Sequence, residues 1–131
     1  MIEPIWLESR EIQVMHQALL ARHGGSQGGR DMNLPGSALA GSQSAFHHGY
    51  TPSLAQLAAA YGCALAKNHP FIDGNKRVAL ATIGVFLDIN GYDLTADQAD
   101  AAMTILKLAA GEMTEYELAV WIESNSRPTA P

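Results

Sequence analysis

The segment that most constrains this chain runs from Asn75 to Asn90 and reads NKRVALATIGVFLDIN, apolar nearly all round at helical spacing. A helix of that kind has no broad face to offer water, so other elements must wrap it. Candidates are plentiful. Ser9 can N-cap a first helix with Ile12, Met15, Leu19 and Leu20 on one face, ended by Gly24-Gly25. Thr51 or Ser53 starts the next, with Pro52 tolerated in its first turn, through LAQLAAAYGCALAK to Asn68. Pro70 cannot continue it. Thr95 with Gln98, and Thr114 with Glu117, form capping-box patterns for two more helices, the first through Ala110 and closed by Gly111, the second to about Ile122. The Gly- and Ser-rich stretch Gly24 to Tyr50 is read as a flap with one short helical candidate, Pro35 to Ala40. A small hairpin there is the most strand expected, and the tail SRPTAP is expected to fray. The expectation is an all-α bundle of about six helices around a central buried helix, one domain over residues 1–131.

The composition narrows the class of function. Hydrophobic residues make up 47% and charged residues 16%, which suits a globular domain. A net charge of -5 argues against broad nucleic-acid binding. The positive charge is nevertheless clustered, for Lys67, Lys76 and Arg77 fall within eleven positions in a chain with only 8 Lys and Arg. Cys63 is the only cysteine, so no internal disulfide forms and a reducing, cytoplasmic setting is expected. MIEPIWLESR has no basic segment followed by an apolar run, so no signal peptide is expected, and Leu54 to Ala66 is too short to span a bilayer.

Chemistry concentrates in His69 to Arg77, HPFIDGNKR, between the two most apolar helices. A helix start presents unpaired N–H groups and partial positive charge, a natural seat for anions. Gly74 allows close backbone approach, and Lys76 and Arg77 add full charges. Asn75 is either a cap or an amide donor to an oxyanion. Asp73 as a lone carboxylate suits Mg²⁺, which takes its other ligands from phosphates and water. His69 is placed to accept a proton from an attacking hydroxyl. Each residue alone is more readily a helix-start or surface residue; the group together describes transfer of a phosphate-containing moiety.

These nine residues resemble the signature of the Fic/Doc superfamily, His-x-Phe-x-Asp/Glu-Gly-Asn-Gly/Lys-Arg. HPFIDGNKRVALATIGVFLDINGYDL, ARHGGSQGGRD followed by SALA, and the ending AAGEMTEYELAVWI are similar to its Doc (death-on-curing) branch of toxin–antitoxin toxins. In the adenylylating Fic branch a glycine follows the Asn, and a second arginine lies three residues after the first; here Lys76 and Leu80 stand there. The resemblance implies a kinase that passes the γ-phosphate of ATP to a threonine of translation elongation factor Tu and stalls translation. It implies His69 as general base, Asp73 on Mg²⁺, and Gly74, Asn75, Lys76 and Arg77 on the ATP phosphates. It also implies a cognate antitoxin whose C-terminal segment covers the cleft. A Fic-type nucleotidyl transferase and a catalytically silent antitoxin-binding module are the alternatives. The branch more often has an acidic residue before the Ser-Ala, where Pro35-Gly36 stands here.

Of the rest, Arg30 and Asp31 are candidates for flap or substrate contacts; either they pair with each other or Arg30 reaches the nucleotide. Phe71 is read as a core anchor for the loop, His47 and His48 as a solvated loop pair, His16 and His23 as surface or packing residues, and Cys63 as inert. Trp6 and Trp121 are expected to pack on each other or on the bundle.

Overall fold

The structure, a computed structural model, describes residues 3–28, 34–48, 52–68 and 71–129, with only the backbone described at 34–36. Six helices fill it: α1 (Ser9–His23), α2 (Leu34–His48), α3 (Leu54–Asn68), α4 (Asn75–Ile89), α5 (Gln98–Ala109) and α6 (Glu115–Ser124). Two short strands, β1 (Tyr92–Leu94) and β2 (Ser126–Pro128), pair antiparallel with Asp93 opposite Arg127. None of these helices is long and apolar enough to cross a membrane.

The centre of the bundle is the α3–α4 pair. Helix α3 packs against α2, α4, α5 and α6 and buries residues on every side, from Ala55 and Leu57 to Leu65 and Ala66. Its alanines keep it narrow, so four neighbours can approach. Gly62 marks the tightest crossing, where a β-carbon would lie 2.5 Å from Cδ1 of Ile83 on α4. Helix α4 buries Val78, Ala79, Thr82, Ile83, Phe86 and Leu87, while Lys76, Arg77, Val85 and Asp88 stay exposed.

Several boundaries differ from the sequence expectation. The N-cap of α1 is Glu8 rather than Ser9, and the Glu11 carboxylate accepts from the Glu8 N–H at 3.0 Å. Helix α5 is capped by Asp97, whose Oδ1 accepts from the Asp100 N–H at 2.8 Å. Thr95 instead donates its hydroxyl to the Asn125 carbonyl and ties β1 to the end of α6. Ser53 and Gln56 form a reciprocal cap on α3, leaving Pro52 just outside, and Thr114 with Glu117 forms the expected box on α6.

The largest difference is α2. A short Pro35–Ala40 candidate becomes fifteen residues of helix, because Ala38 and Ser42 are fully buried on one face and the Ser42 hydroxyl donates to the Leu57 carbonyl at 3.0 Å. Packing on α3 outweighs the glycine and serine content. No hairpin forms among the described residues of that region. The strands instead join the end of α4 to the tail, so Ser126–Pro128 is paired rather than frayed.

An N-terminal strap closes the bundle. Ile5 exchanges two hydrogen bonds with the Asn90 side chain, and Leu7 exchanges two with the buried Tyr61 hydroxyl. Trp6 stacks on Phe86 with ring centroids 6.0 Å apart. Trp121 is elsewhere, donating to Asp100.

Candidate active site

The site is built where α4 begins. Gly74 is its N-cap residue in the left-handed conformation, φ 81° and ψ 13°, and no side chain caps the helix. The first ladder bond is Val78 N–H to Gly74 O at 3.0 Å. The N–H groups of Asn75, Lys76 and Arg77 therefore have no partner among the described residues. The Lys76 and Arg77 side chains are exposed and likewise have no hydrogen-bond or ion-pair partner among them. Three open backbone donors and two cations thus share one helix end, which favours anions strongly. Lys67 does not join them; it lies against the Cys63 thiol on α3.

The loop before α4 is held from within. Phe71, 2% exposed, anchors it in the core as expected. Asn75 was expected to cap the helix or to reach an oxyanion. Its Oδ1 instead accepts from the Phe71 N–H at 3.0 Å and its Nδ2 donates to the Phe71 carbonyl at 2.9 Å. Asn75 is buried, and its amide shapes the loop.

Two contributors lie outside the nine-residue motif, and the first of them, His16, was not assigned to the site from sequence. His16 on α1 lies flat on Phe71, with ring centroids 3.7 Å apart and planes 9° apart, and its Nε2 is 2.6 Å from the Asp73 carbonyl oxygen. It falls on the stripe Ile12–His16–Leu20, all buried, and that i, i+4 spacing was a readable signal. The second is the glycine segment after α1. Gly28 O accepts from the Ile72 N–H at 3.1 Å, and the Ser26 N–H donates to Asp73 Oδ2 at 3.3 Å. At Gly25 (φ 128°) a β-carbon would lie 2.9 Å from that same oxygen. Only glycine lets the segment pass so close to the carboxylate.

Asp73 is exposed, and its Oδ1 accepts from the Gly74 N–H at 2.9 Å. Each carboxylate oxygen keeps a lone pair directed away from these bonds. No group of three or more His, Cys, Asp or Glu suited to a metal occurs among the described residues. A lone carboxylate beside an anion seat fits Mg²⁺ shared with substrate phosphates and does not fit a metal held by protein alone. A cleft of about 580 Å³ opens beside the loop, lined by Gln13, His16, Gln17, Gln27 and Gly28 among others.

His69, Arg30 and Asp31 lie outside the described residues. Leu80 is half-buried against the core. His47 and His48 end α2 rather than lying in a loop, and His47 Nε2 is 3.9 Å from the Glu3 carboxylate. Burial pushes the Cys63 thiol up, with Lys67 opposing, so it stays a protonated packing group.

Comparison with known proteins gives the chain relatives. The model of the Fic/DOC family matches residues 6–87, from the strap into the last turn of α4. Over 46 residues the chain is 52% identical to a Mycolicibacterium smegmatis protein named Toxin Doc, a stretch that is 35% of each chain. The match thus spans about a third of that relative's length. Over 113 residues it is 28% identical to the Escherichia phage P1 protein named Protein kinase doc, covering 86% of this chain and 89% of that one.

Proposed function

Since the chain belongs to the Fic/DOC family, we propose that it is the toxin of a toxin–antitoxin pair and acts as an ATP-dependent protein kinase of the Doc type. The observation that carries this reading is the start of α4, where three N–H groups and the Lys76 and Arg77 side chains have no partner among the described residues and stand beside the Asp73 carboxylate. Names of relatives add support, since one similar protein is called a toxin and another a protein kinase.

The roles follow from the chemistry of each group. The open N–H groups after Gly74, with Lys76 and Arg77, bind and orient the phosphates of ATP. Asn75 keeps that cradle in shape through Phe71. Asp73 would hold Mg²⁺, which when bound would supply positive charge against the phosphates. His69 takes the proton of a Ser or Thr hydroxyl as its oxygen bonds to the γ-phosphorus and the bond to the β-phosphate breaks, so that ADP leaves. Arg30 and Asp31 are proposed contacts to nucleotide or acceptor.

Transfer from the γ position is favoured over nucleotidyl transfer by Leu80. Its apolar packing leaves no second cation one turn into the helix to clamp further phosphates. The acceptor we propose is elongation factor Tu in the cytoplasm, with an antitoxin segment covering the cleft, and no membrane or nucleic acid involved. Induced expression should halt protein synthesis in a bacterial host, and His69→Ala should relieve the arrest. An arrest undiminished in the His69→Ala protein would overturn catalysis and leave a silent binding module.

A further inference from the structure

His16 reaches three residues of the site from a neighbouring helix. Its ring covers Phe71, its Nε2 meets the Asp73 carbonyl, and a β-carbon at Gly74 would lie 3.5 Å from that same nitrogen. A carbonyl oxygen only accepts, so Nε2 carries the proton of the 2.6 Å bond. The ring is 3% exposed, and Ile12 and Leu20 bury the turns of α1 on either side of it.

We infer that His16 is a positioning residue for the phosphate- and metal-binding loop, an assignment that rests on the kinase reading above. The Asp73 carboxylate is fixed by the N–H groups of Gly74 and Ser26, and its carbonyl is fixed by His16. The peptide unit from Asp73 to Gly74 also leads directly into the open N–H groups of α4. Its orientation sets where the carboxylate stands relative to those donors. Without the Nε2–H that unit can rotate, and the metal ligand and the phosphate seat lose their common register. Among the described residues His16 touches the Asp73 carbonyl and the Phe71 ring rather than a reacting group, and it acts through Asp73 and Gly74. A residue that only fills space would be replaceable by any flat ring of similar size.

The test separates stacking from donation. His16→Phe keeps a ring on Phe71 and removes the donor, whereas His16→Gln places an amide N–H near the Nε2 position. In phosphate transfer to elongation factor Tu, His16→Phe should raise the KM for Mg²⁺-ATP about five- to tenfold and lower kcat, the scale expected for one lost buried hydrogen bond. His16→Gln should restore most of both. Wild-type KM and kcat in a folded His16→Phe protein would overturn the assignment. If His16→Phe does not fold, ¹⁵N NMR of the wild-type imidazole decides. The Nε2–H resonance should shift when Mg²⁺ and a non-hydrolysable ATP analogue are added, and an unmoved resonance in protein that binds the analogue overturns the assignment. Wild-type protein that neither binds nucleotide nor transfers phosphate would overturn the kinase reading and this assignment with it, an outcome distinct from an active wild type with an indifferent His16→Phe.

Discussion

The amide of Asn75 sits between the N–H and the C=O of Phe71, so that Asn75→Ala leaves two buried backbone groups without partners. That substitution should lower unfolding stability by about 2–4 kcal/mol, read from urea midpoints at unchanged m. Asn75→Asp should recover part of it, because the retained oxygen still accepts from the Phe71 N–H while the donor to the carbonyl is gone. A cost below about 0.5 kcal/mol for Asn75→Ala, the range of ordinary surface substitutions, would count against the staple. The type and spacing of Asp73, Gly74, Asn75, Lys76 and Arg77 were legible in the sequence, since helix starts impose them. The backward reach of the Asn75 amide was not, because it depends on a turn whose path is set by Phe71 entering the core. His16 was legible only as one member of a stripe; its bond to Asp73 spans 57 residues and exists only once α1 lies beside the loop.

At the scale of elements, the crossing of α3 and α4 turns on the missing side chain of Gly62. A β-carbon there would come 2.5 Å from Ile83 Cδ1 and 3.0 Å from its Cγ1, and Ile83 is fully buried. Gly62→Ala should destabilise by about 1–3 kcal/mol through overpacking, despite the better helix propensity of alanine. Ile83→Val removes the nearer atom, so the double variant should be more stable than the sum of the single effects, and a double-mutant cycle in urea measures that coupling. Strictly additive costs would contradict the close approach. Local signals at Thr114–Glu117 and at Gly91 were readable because caps act within one turn. The true extent of α2 was not, since Ala38 and Ser42 become helix-forming only when α3 accepts them into a tight interface.

Across the whole molecule, the strap and the β1–β2 pair tie both ends of the chain to α3 and α4, which carry the site. Tyr61 is the anchor of the strap, exchanging hydrogen bonds with Leu7 at 3.1 and 2.9 Å. Burial pushes its phenol well above the ordinary value of 10.0, against the smaller opposing effect of the Leu7 bond. The folded state therefore holds this proton where the unfolded chain has released it. Stability from this group is intact below the unfolded value and falls as pH rises through it. Urea midpoints of the wild type should drop between roughly pH 9 and 11. Tyr61→Phe should be less stable at neutral pH by about 1–3 kcal/mol and should show a shallower alkaline decline. Equal declines in both proteins would contradict the buried phenol. The all-α class was legible from periodicity, but the closure of the bundle by short strands and a strap was not. Those pairings join residues about thirty to eighty-five positions apart and leave no local pattern.

The measurement that bears most directly on the central claim is transfer of label. Purified protein would be incubated with elongation factor Tu and Mg²⁺-ATP labelled at either the γ or the α position, with His69→Ala and Arg77→Ala alongside. The account predicts label on the acceptor from the γ position alone, abolished by His69→Ala and reduced at least about tenfold by Arg77→Ala, the scale of one charge-assisted phosphate clamp. Label arriving from the α position, or transfer that survives both substitutions, would contradict it.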